Sequence, residues 1–208
     1  MRWGVPRIGI LGGSFDPVHY GHLLLAECCH EQCNLDDVWF VPAAANPHKP
    51  NGSVAAVDQR LQMLSLAIAG HPAFLVSDVE QQRGGTSYTV ETLEYLQQCH
   101  TEHEFVILMG ADSLADFPQW KQPQRICELA VLSVVRRADC PPLDLDVLDG
   151  IATAGQLDKI RAHQVEMPCM ELTSTGIRQR VAARQSIRFR TPRAVEQYIS
   201  TEGLYVSD

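Results

Sequence analysis

Residues 12–22 read GGSFDPVHYGH, and the patterns on either side of this stretch predict the local fold. Residues 7–11 form a short apolar run with β-branched Ile8 and Ile10, which is typical of a strand. Residues 23–33 are apolar and compatible with a helix. The start of the chain is therefore predicted to fold as a strand, a glycine turn and a helix.

This turn has the features of a phosphate-binding site. Gly12 and Gly13 lack a Cβ, so the chain can turn sharply and an anion can approach the backbone. The following helix offers unpaired N–H groups and the positive end of its dipole. His19 and His22 should project from one face of the first helical turn toward one phosphate, which indicates phosphoryl chemistry. There are two alternatives. One is that the glycines form a turn that binds no ligand, and the other is that the histidine pair is half of a zinc site with Asp16 as the nearest third ligand.

A second motif lies near the C-terminus, where residues 173–178 read TSTGIR. Ser174 and Thr175 carry hydroxyl groups that can cap the free N–H groups of a helix or bind a phosphate. Arg178 lies one turn further along, where its planar guanidinium can bind two oxygens of one phosphate. An ordinary capped helix with a surface arginine is the alternative for this segment alone.

Both motifs resemble those of the nucleotidylyltransferase superfamily. The tetrapeptide at 19–22 is similar to its (T/H)-x-G-H signature, and GGSFDPVHYGH resembles the bacterial nicotinate-nucleotide adenylyltransferases. The TSTGIR segment resembles the family's Ser-Thr-x-Ile-Arg mark, with Thr173 in place of a more usual serine. The resemblance extends to a closing helix, where Thr191 is the expected N-cap and Pro192 the first helical residue. The resemblance is weakest over residues 140–163, which are expected to form a variable segment that contains a helix.

The segments between the two motifs predict the fold class. Apolar strands are expected at 38–41, 74–77, 105–109 and 131–135, and helices at 58–69 and 87–99. Apolar strands without alternation, separated by helices, favour a parallel sheet covered on both faces. We predict an α/β fold, a Rossmann-like doubly wound parallel sheet with a C-terminal helical segment, in one domain over 1–208. Such sheets bind ligands beyond the carboxyl ends of their strands.

The resemblance implies an ATP site at these strand ends. Lys49, in the loop at 46–50, is expected to reach the triphosphate, with a solvated loop lysine as the alternative. Asp112 is expected to contact a ribose hydroxyl, to cap the next helix, or both. The predicted ATP contacts are Gly12, Gly13, Ser14, Phe15, Gly110, Asp112, Ser174 and Thr175.

The resemblance also implies a site for the acceptor, formed by residues 84–89 and 117–120. Backbone N–H groups at a helix start favour a carboxylate over an amide, whose NH₂ would meet other donors. In the family, segments similar to these hold the pyridine, with the tryptophan stacked on the ring. The predicted acceptor contacts are Gly85, Thr86, Tyr88 and Trp120. For Trp120 a place in the core is the alternative. Lys121 stands where many relatives carry an aromatic, and its charge is expected to attract a carboxylate.

The implied reaction is adenylyl transfer from ATP to nicotinate mononucleotide, which gives deamido-NAD and pyrophosphate in NAD biosynthesis. His19 and His22 would contact the reacting phosphate, while Lys49 and Arg178 would neutralise the pyrophosphate. Mg²⁺ is expected to arrive with ATP, and no protein-held metal is predicted because no clustered carboxylates form a cage. The alternatives are another acceptor (nicotinamide mononucleotide or phosphopantetheine), a nucleotide sensor without turnover, and, ranked last, a ligase domain related to aminoacyl-tRNA synthetases.

The composition of the chain disfavours several kinds of partner and location. The 208 residues are 45% hydrophobic and carry a formal net charge of -8, which disfavours nonspecific binding to nucleic acid. Seven cysteines, an odd number without a Cys-x-x-Cys pair, favour reduced thiols packed as small apolar residues. No signal peptide and no membrane-length apolar span are visible, so a cytoplasmic protein without a membrane partner is expected. Assembly into a homo-oligomer is left open.

Overall fold

The computed structural model describes residues 4–45, 53–138 and 141–206, and the elements named here belong to these ranges. The strands are β1 (Arg7–Gly13), β2 (Asp37–Pro42), β3 (Phe74–Val76), β4 (Glu104–Gly110), β5 (Ala130–Arg137) and β6 (Gln164–Met167). The helices are α1 (Tyr20–Gln32), α2 (Val57–Ile68), α3 (Val79–Arg83), α4 (Thr89–Cys99), α5 (Ala111–Asp116), α6 (Pro123–Leu129), α7 (Ala154–Ala162), α8 (Ser174–Ala182) and α9 (Arg193–Thr201). No helix in the described ranges is long and apolar enough to cross a membrane.

The strands form one sheet in the order β3-β2-β1-β4-β5-β6. Strand β4 pairs in parallel with β1 and β5, and β5 pairs in parallel with β6. The apolar residues 105–109 of β4 are all buried, as expected for a strand covered on both faces. The order of the strands reverses between β1 and β4, which makes this a doubly wound sheet. The predicted Rossmann-like α/β fold is confirmed.

Two compact units make up the chain. The first comprises Met1–Gly12, Leu25–Trp39 and Tyr88–Cys169, and the second comprises Gly13–Leu24, Phe40–Ser87 and Met170–Asp208. Within the first unit, α4 packs on α6, and α7 packs on β5. Within the second unit, α2 packs on α9. The single domain over 1–208 stays a prediction.

The helix and strand bounds differ from the predicted ones in ways that have physical causes. The strand β6 was not predicted, because only Val165 and Met167 of its four residues are buried, too few for a recognisable pattern. The helix expected within 140–163 is α7. The start predicted for α9 is wrong by one residue. Pro192 occupies the N-cap, and the Thr191 hydroxyl before it donates to the Val18 carbonyl at 2.7 Å.

We expect Gly9→Ala to lower the free energy of unfolding by about 1–3 kcal/mol, because the core around β1 has no room for a methyl group. A Cβ at Gly9 would lie 2.6 Å from Leu35 Cδ1 and 3.0 Å from Leu108 Cδ1. Urea denaturation measures the change. Gly155→Ala is the control, because a Cβ there meets nothing within 4 Å and alanine favours the helix. Equal stability of the two variants would contradict this packing.

Candidate active site

The signature turn, residues 13–22, leads from the end of β1 into α1. Gly12 and Gly13 belong to β1, and neither has a positive φ, so the prediction that these glycines form the turn is wrong. Phe15 is the residue with a left-handed backbone (φ 47°), and it is buried. A Cβ at Gly13 would lie 3.1 Å from the Phe15 ring. Gly13 therefore makes room for this aromatic side chain.

The two histidines of the signature turn lie against each other. Helix α1 begins at Tyr20, so His19 directly precedes the helix and His22 lies in its first turn. Their rings are stacked, with centroids 3.7 Å apart and planes 25° from parallel. The backbone N–H of His19 also donates to His22 Nδ1 at 3.2 Å. The Phe15 ring meets the His22 ring edge-on at 5.0 Å, which packs the pair from one side.

The first turn of α1 offers fewer free N–H groups than predicted. The Tyr20 N–H donates to the Arg190 carbonyl at 3.2 Å, and the His22 and Leu23 N–H groups donate to the His19 carbonyl at 2.9 and 3.3 Å. The prediction of unpaired N–H groups is wrong at these three positions. Side chains therefore become the main candidates for contact with an anion here.

His19 is enclosed by the protein. The residue is 6% exposed, and its Nδ1 is buried without a hydrogen-bond partner in the described part of the chain. Burial lowers the pKa of His19 to about 4, because a low-dielectric surrounding disfavours the charged form. At neutral pH the ring is therefore an uncharged hydrogen-bonding group.

We expect the buried His19 to make the protein less stable in mild acid. Its pKa is about 4 in the folded chain and roughly 6.5 when unfolded, so only the unfolded chain takes up this proton between those values. The free energy of unfolding should fall by about 3 kcal/mol as the pH drops from roughly 6.5 to about 4, and this contribution then levels off. Urea denaturation across this pH range measures it, and His19→Gln should remove it. His71→Gln, which removes a histidine that packs on Phe74 outside the signature turn, is the control for the loss of an imidazole. A His19→Gln variant with the wild-type pH dependence would contradict the assignment.

The second motif opens α8 against the signature turn. Thr173 is the N-cap, and its Oγ1 accepts from the Gly176 N–H at 3.0 Å. The Ser174 hydroxyl instead donates to the Pro17 carbonyl at 2.8 Å, and Thr175 Oγ1 accepts from Arg178 Nη2 at 3.1 Å. The prediction that Ser174 or Thr175 caps the helix is therefore wrong. These two hydroxyls position the helix and its arginine.

Arg178 reaches the same turn as the histidine pair. Its Nη1 donates to the Asp16 carbonyl at 2.7 Å and lies 3.8 Å from Asp16 Oδ2. The side chain is 22% exposed, so part of it is accessible to a ligand. The structure thus brings Arg178 to the turn that carries His19 and His22, more than 150 positions earlier in the chain.

Other predicted nucleotide contacts lie in different places. Lys49 and the rest of the predicted loop 46–50 fall outside the described residues. In the first unit, Gly110 is the N-cap of α5, with no side-chain cap, and Asp112 is an exposed residue of its first turn. The alternative that Asp112 caps this helix is therefore wrong.

The predicted acceptor contacts Tyr88 and Trp120 also lie in the first unit. Trp120 is half-buried, with its ring 5.3 Å from that of Phe117. Lys121 Nζ donates to Glu91 at 2.6 Å and lies 4.3 Å from the centre of the Tyr88 ring. The charge expected to attract a carboxylate is therefore already balanced by Glu91.

Gly85 and Thr86 belong to the second unit. Gly84 and Gly85 have φ values of 70° and 74°, which only glycine adopts readily. Thr86 is exposed, and its carbonyl accepts from Arg83 Nη2 at 3.2 Å. The two glycines thus form the turn between α3 and the residues that precede α4.

Sequence reasoning missed the buried polar residues that support the signature turn. Arg60 of α2 is 2% exposed and donates to the carbonyls of Ser14, Ala43 and Ala55 at 2.8, 2.8 and 3.3 Å. Tyr205 was not predicted as a site residue either, although its hydroxyl donates to Asp16 Oδ1 at 2.8 Å. An arginine within the apolar pattern of a helix is the signal that could have revealed Arg60, since buried charges are usually paired.

Two other features can mark a ligand site, a metal-binding group and a cavity. In the described ranges, no three His, Cys, Asp or Glu side chains are grouped so as to hold a metal ion. A cavity of about 330 Å³ lies in the first unit at the amino ends of β4 and β5, with Glu104 and Ala130 among its lining residues. None of the predicted site residues lines it.

Sequence comparison identifies the family to which this chain belongs. The cytidylyltransferase-like family model matches residues 10–180. A protein of Rhodopirellula baltica named "Probable nicotinate-nucleotide adenylyltransferase" is 44% identical over 95% of this chain and 92% of its own length. A protein of the same name from Salinibacter ruber is 40% identical over 95% and 97%.

Solved structures share the fold. The nicotinic acid mononucleotide adenylyltransferase of Plasmodium falciparum, solved in complex with NaAD, superposes with a TM-score of 0.74 at 17% identity, over 96% of this chain and 97% of that one. The sequence relatives and the family model place the chain in the nicotinate-nucleotide adenylyltransferase family of cytidylyltransferase-like proteins.

Proposed function

We propose that the protein transfers the adenylyl group of ATP to nicotinate mononucleotide. An oxygen of the acceptor's 5′-phosphate attacks the α-phosphorus, the bond from that phosphorus to the bridging oxygen breaks, and pyrophosphate leaves with the electron pair. A phosphate monoester is already an anion near neutral pH, so the nucleophile needs no dedicated base. The stacked His19–His22 pair beside the turn that Arg178 contacts is the observation that carries the proposal.

The side chains of the second unit supply alignment and charge stabilisation, which dominate phosphoryl transfer. His19, being neutral, donates a hydrogen bond to the reacting phosphate, and His22 contacts the same group. Arg178 and Lys49 neutralise the charge that develops on the leaving pyrophosphate. Mg²⁺ enters as part of MgATP and keeps several waters, because hard divalent cations bind phosphate oxygens with few protein ligands.

The remaining residues recognise the two ends of the substrates. Asp112 hydrogen-bonds a ribose hydroxyl, and Trp120 stacks on the pyridine ring. The backbone N–H groups of Gly85, Thr86 and Tyr88 receive the pyridine carboxylate, since they can donate to an acid but not to an amide NH₂. The Ser87 N–H between them already donates to the Ala45 carbonyl at 2.9 Å. The protein is expected to work in the cytoplasm.

A comparison of acceptors tests this proposal. Pyrophosphate release from MgATP should be at least tenfold faster, as kcat/KM, with nicotinate mononucleotide than with nicotinamide mononucleotide, and undetectable with phosphopantetheine. Omitting the acceptor gives the background hydrolysis of ATP. Equal rates with the acid and the amide would contradict the carboxylate recognition. ATP binding without pyrophosphate release for any of these acceptors would identify a sensor and overturn the proposal.

A further inference from the structure

Asp16 is a buried carboxylate in the signature turn that the reaction described above does not use. The residue is 1% exposed, and protein donors occupy both of its oxygens. Oδ2 accepts from the Val54 N–H at 2.8 Å, while Oδ1 accepts from the Ala55 N–H at 3.1 Å and the Tyr205 hydroxyl at 2.8 Å. No oxygen is left over for a metal, so the zinc alternative involving Asp16 is not favoured.

These contacts join segments that are far apart in the chain. Val54 and Ala55 directly precede α2, and Tyr205 follows α9. Arg178 of α8 approaches both the carbonyl and the carboxylate of Asp16. A single side chain therefore links the signature turn to three other segments of the second unit.

The charges in this cluster depend on each other. A buried carboxylate is costly unless it is hydrogen-bonded and balanced by positive charge. Arg178 Nη1 lies 3.8 Å from Asp16 Oδ2, and the buried Arg60 also interacts electrostatically with Asp16. Burial and the charge of Asp16 raise the pKa of Tyr205, so its hydroxyl keeps its proton and remains a donor. The backbone of Tyr205 has a φ of 64°, a left-handed conformation that is unfavourable for a tyrosine and persists where the surroundings impose it.

We propose that Asp16 is a positioning residue that orients the Arg178 guanidinium for the polyphosphate of ATP, and that the Tyr205 hydroxyl fixes the carboxylate in place. This inference rests on the proposed function for the role of Arg178. Asp16 does not touch the substrate, because protein groups surround it. Its effect should therefore appear in ATP binding, pass through Arg178, and leave the acceptor largely unaffected.

A double-mutant cycle tests the inference, with the dissociation constant of MgATP measured by calorimetry in the absence of acceptor. Asp16→Asn should weaken MgATP binding about tenfold and Tyr205→Phe about threefold, while the KM of the acceptor changes less than twofold. In an Arg178→Gln background both effects should shrink to less than twofold. Tyr198→Phe, on the half-buried Tyr198 of α9, is the matched control and should bind ATP as the wild type does.

Each outcome has a defined meaning. Three results would each overturn the inference. They are ATP affinity losses that persist in full in the Arg178→Gln background, equal losses of affinity for ATP and for the acceptor, and ATP binding that Asp16→Asn and Tyr205→Phe leave unchanged. Tyr205→Phe removes one oxygen only, so it carries the test if Asp16→Asn does not fold. A wild type that binds ATP but forms no dinucleotide would contradict the proposed function alone, because the cycle is read from binding.

Discussion

His22→Ala should lower kcat by about 10²- to 10³-fold at saturating ATP and acceptor, the range found when one preorganised donor to a developing charge is removed. His22 is stacked on His19 and accepts the backbone N–H of that residue. Its loss should therefore remove one of the proposed phosphate contacts and loosen the other imidazole. Pyrophosphate release at saturation measures the effect, and thermal denaturation shows whether the fold is retained.

The matched control for His22→Ala is His30→Ala, at the other end of the same helix α1. This variant removes an imidazole from the same element without touching the signature turn, so its kcat should stay within twofold of the wild type. Near-normal turnover of His22→Ala would show that the histidine pair does not act on the reacting phosphate.

Gly21→Ala should lower kcat by about tenfold to a hundredfold while leaving the protein as stable as the wild type or slightly more so. A Cβ at Gly21 would lie 3.0 Å from His19 Nδ1 and 3.1 Å from its Cε1. The His19 ring is buried and stacked on His22, so it can move away only by disturbing the pair. A misplacement of about 1 Å is enough to impair alignment. Alanine favours a helix over glycine by up to about 1 kcal/mol, which offsets the strain.

Pyrophosphate release at saturation measures the effect of Gly21→Ala on kcat, and urea denaturation measures its effect on stability. Gly155→Ala, in the first turn of α7, should gain stability without any change in kcat, because its Cβ meets nothing within 4 Å. Wild-type turnover of Gly21→Ala would show that this glycine serves the helix and not the position of the His19 ring.

The sequence predicted the features that depend on local pattern. Apolar runs such as 105–109 become buried parallel strands because burial on both faces leaves a continuous hydrophobic signature. The histidine spacing likewise placed the two imidazoles on one side of a turn. The strand β6 was missed because only two of its four residues are buried.

Hydrogen-bond partners that are distant in sequence were beyond prediction. Three hydroxyl residues in a row can each cap a helix, and only the fold shows that Thr173 does so while Ser174 bonds to Pro17. The same holds for Thr191, whose hydroxyl is taken by Val18. Asp16 looked like a turn residue or a metal ligand, since its partners Val54, Ala55 and Tyr205 share no motif with it.

The bond between Tyr205 and Asp16 joins residues 189 positions apart, and this separation has a consequence for translation. At roughly 5–20 residues per second, a ribosome needs about 10–40 s to proceed from the aspartate to the tyrosine. During that interval the nascent polypeptide carries its histidine pair without the last partner of the Asp16 carboxylate, and Arg178 itself is added only 27 positions before Tyr205. Incomplete chains should therefore bind ATP more weakly than the released protein.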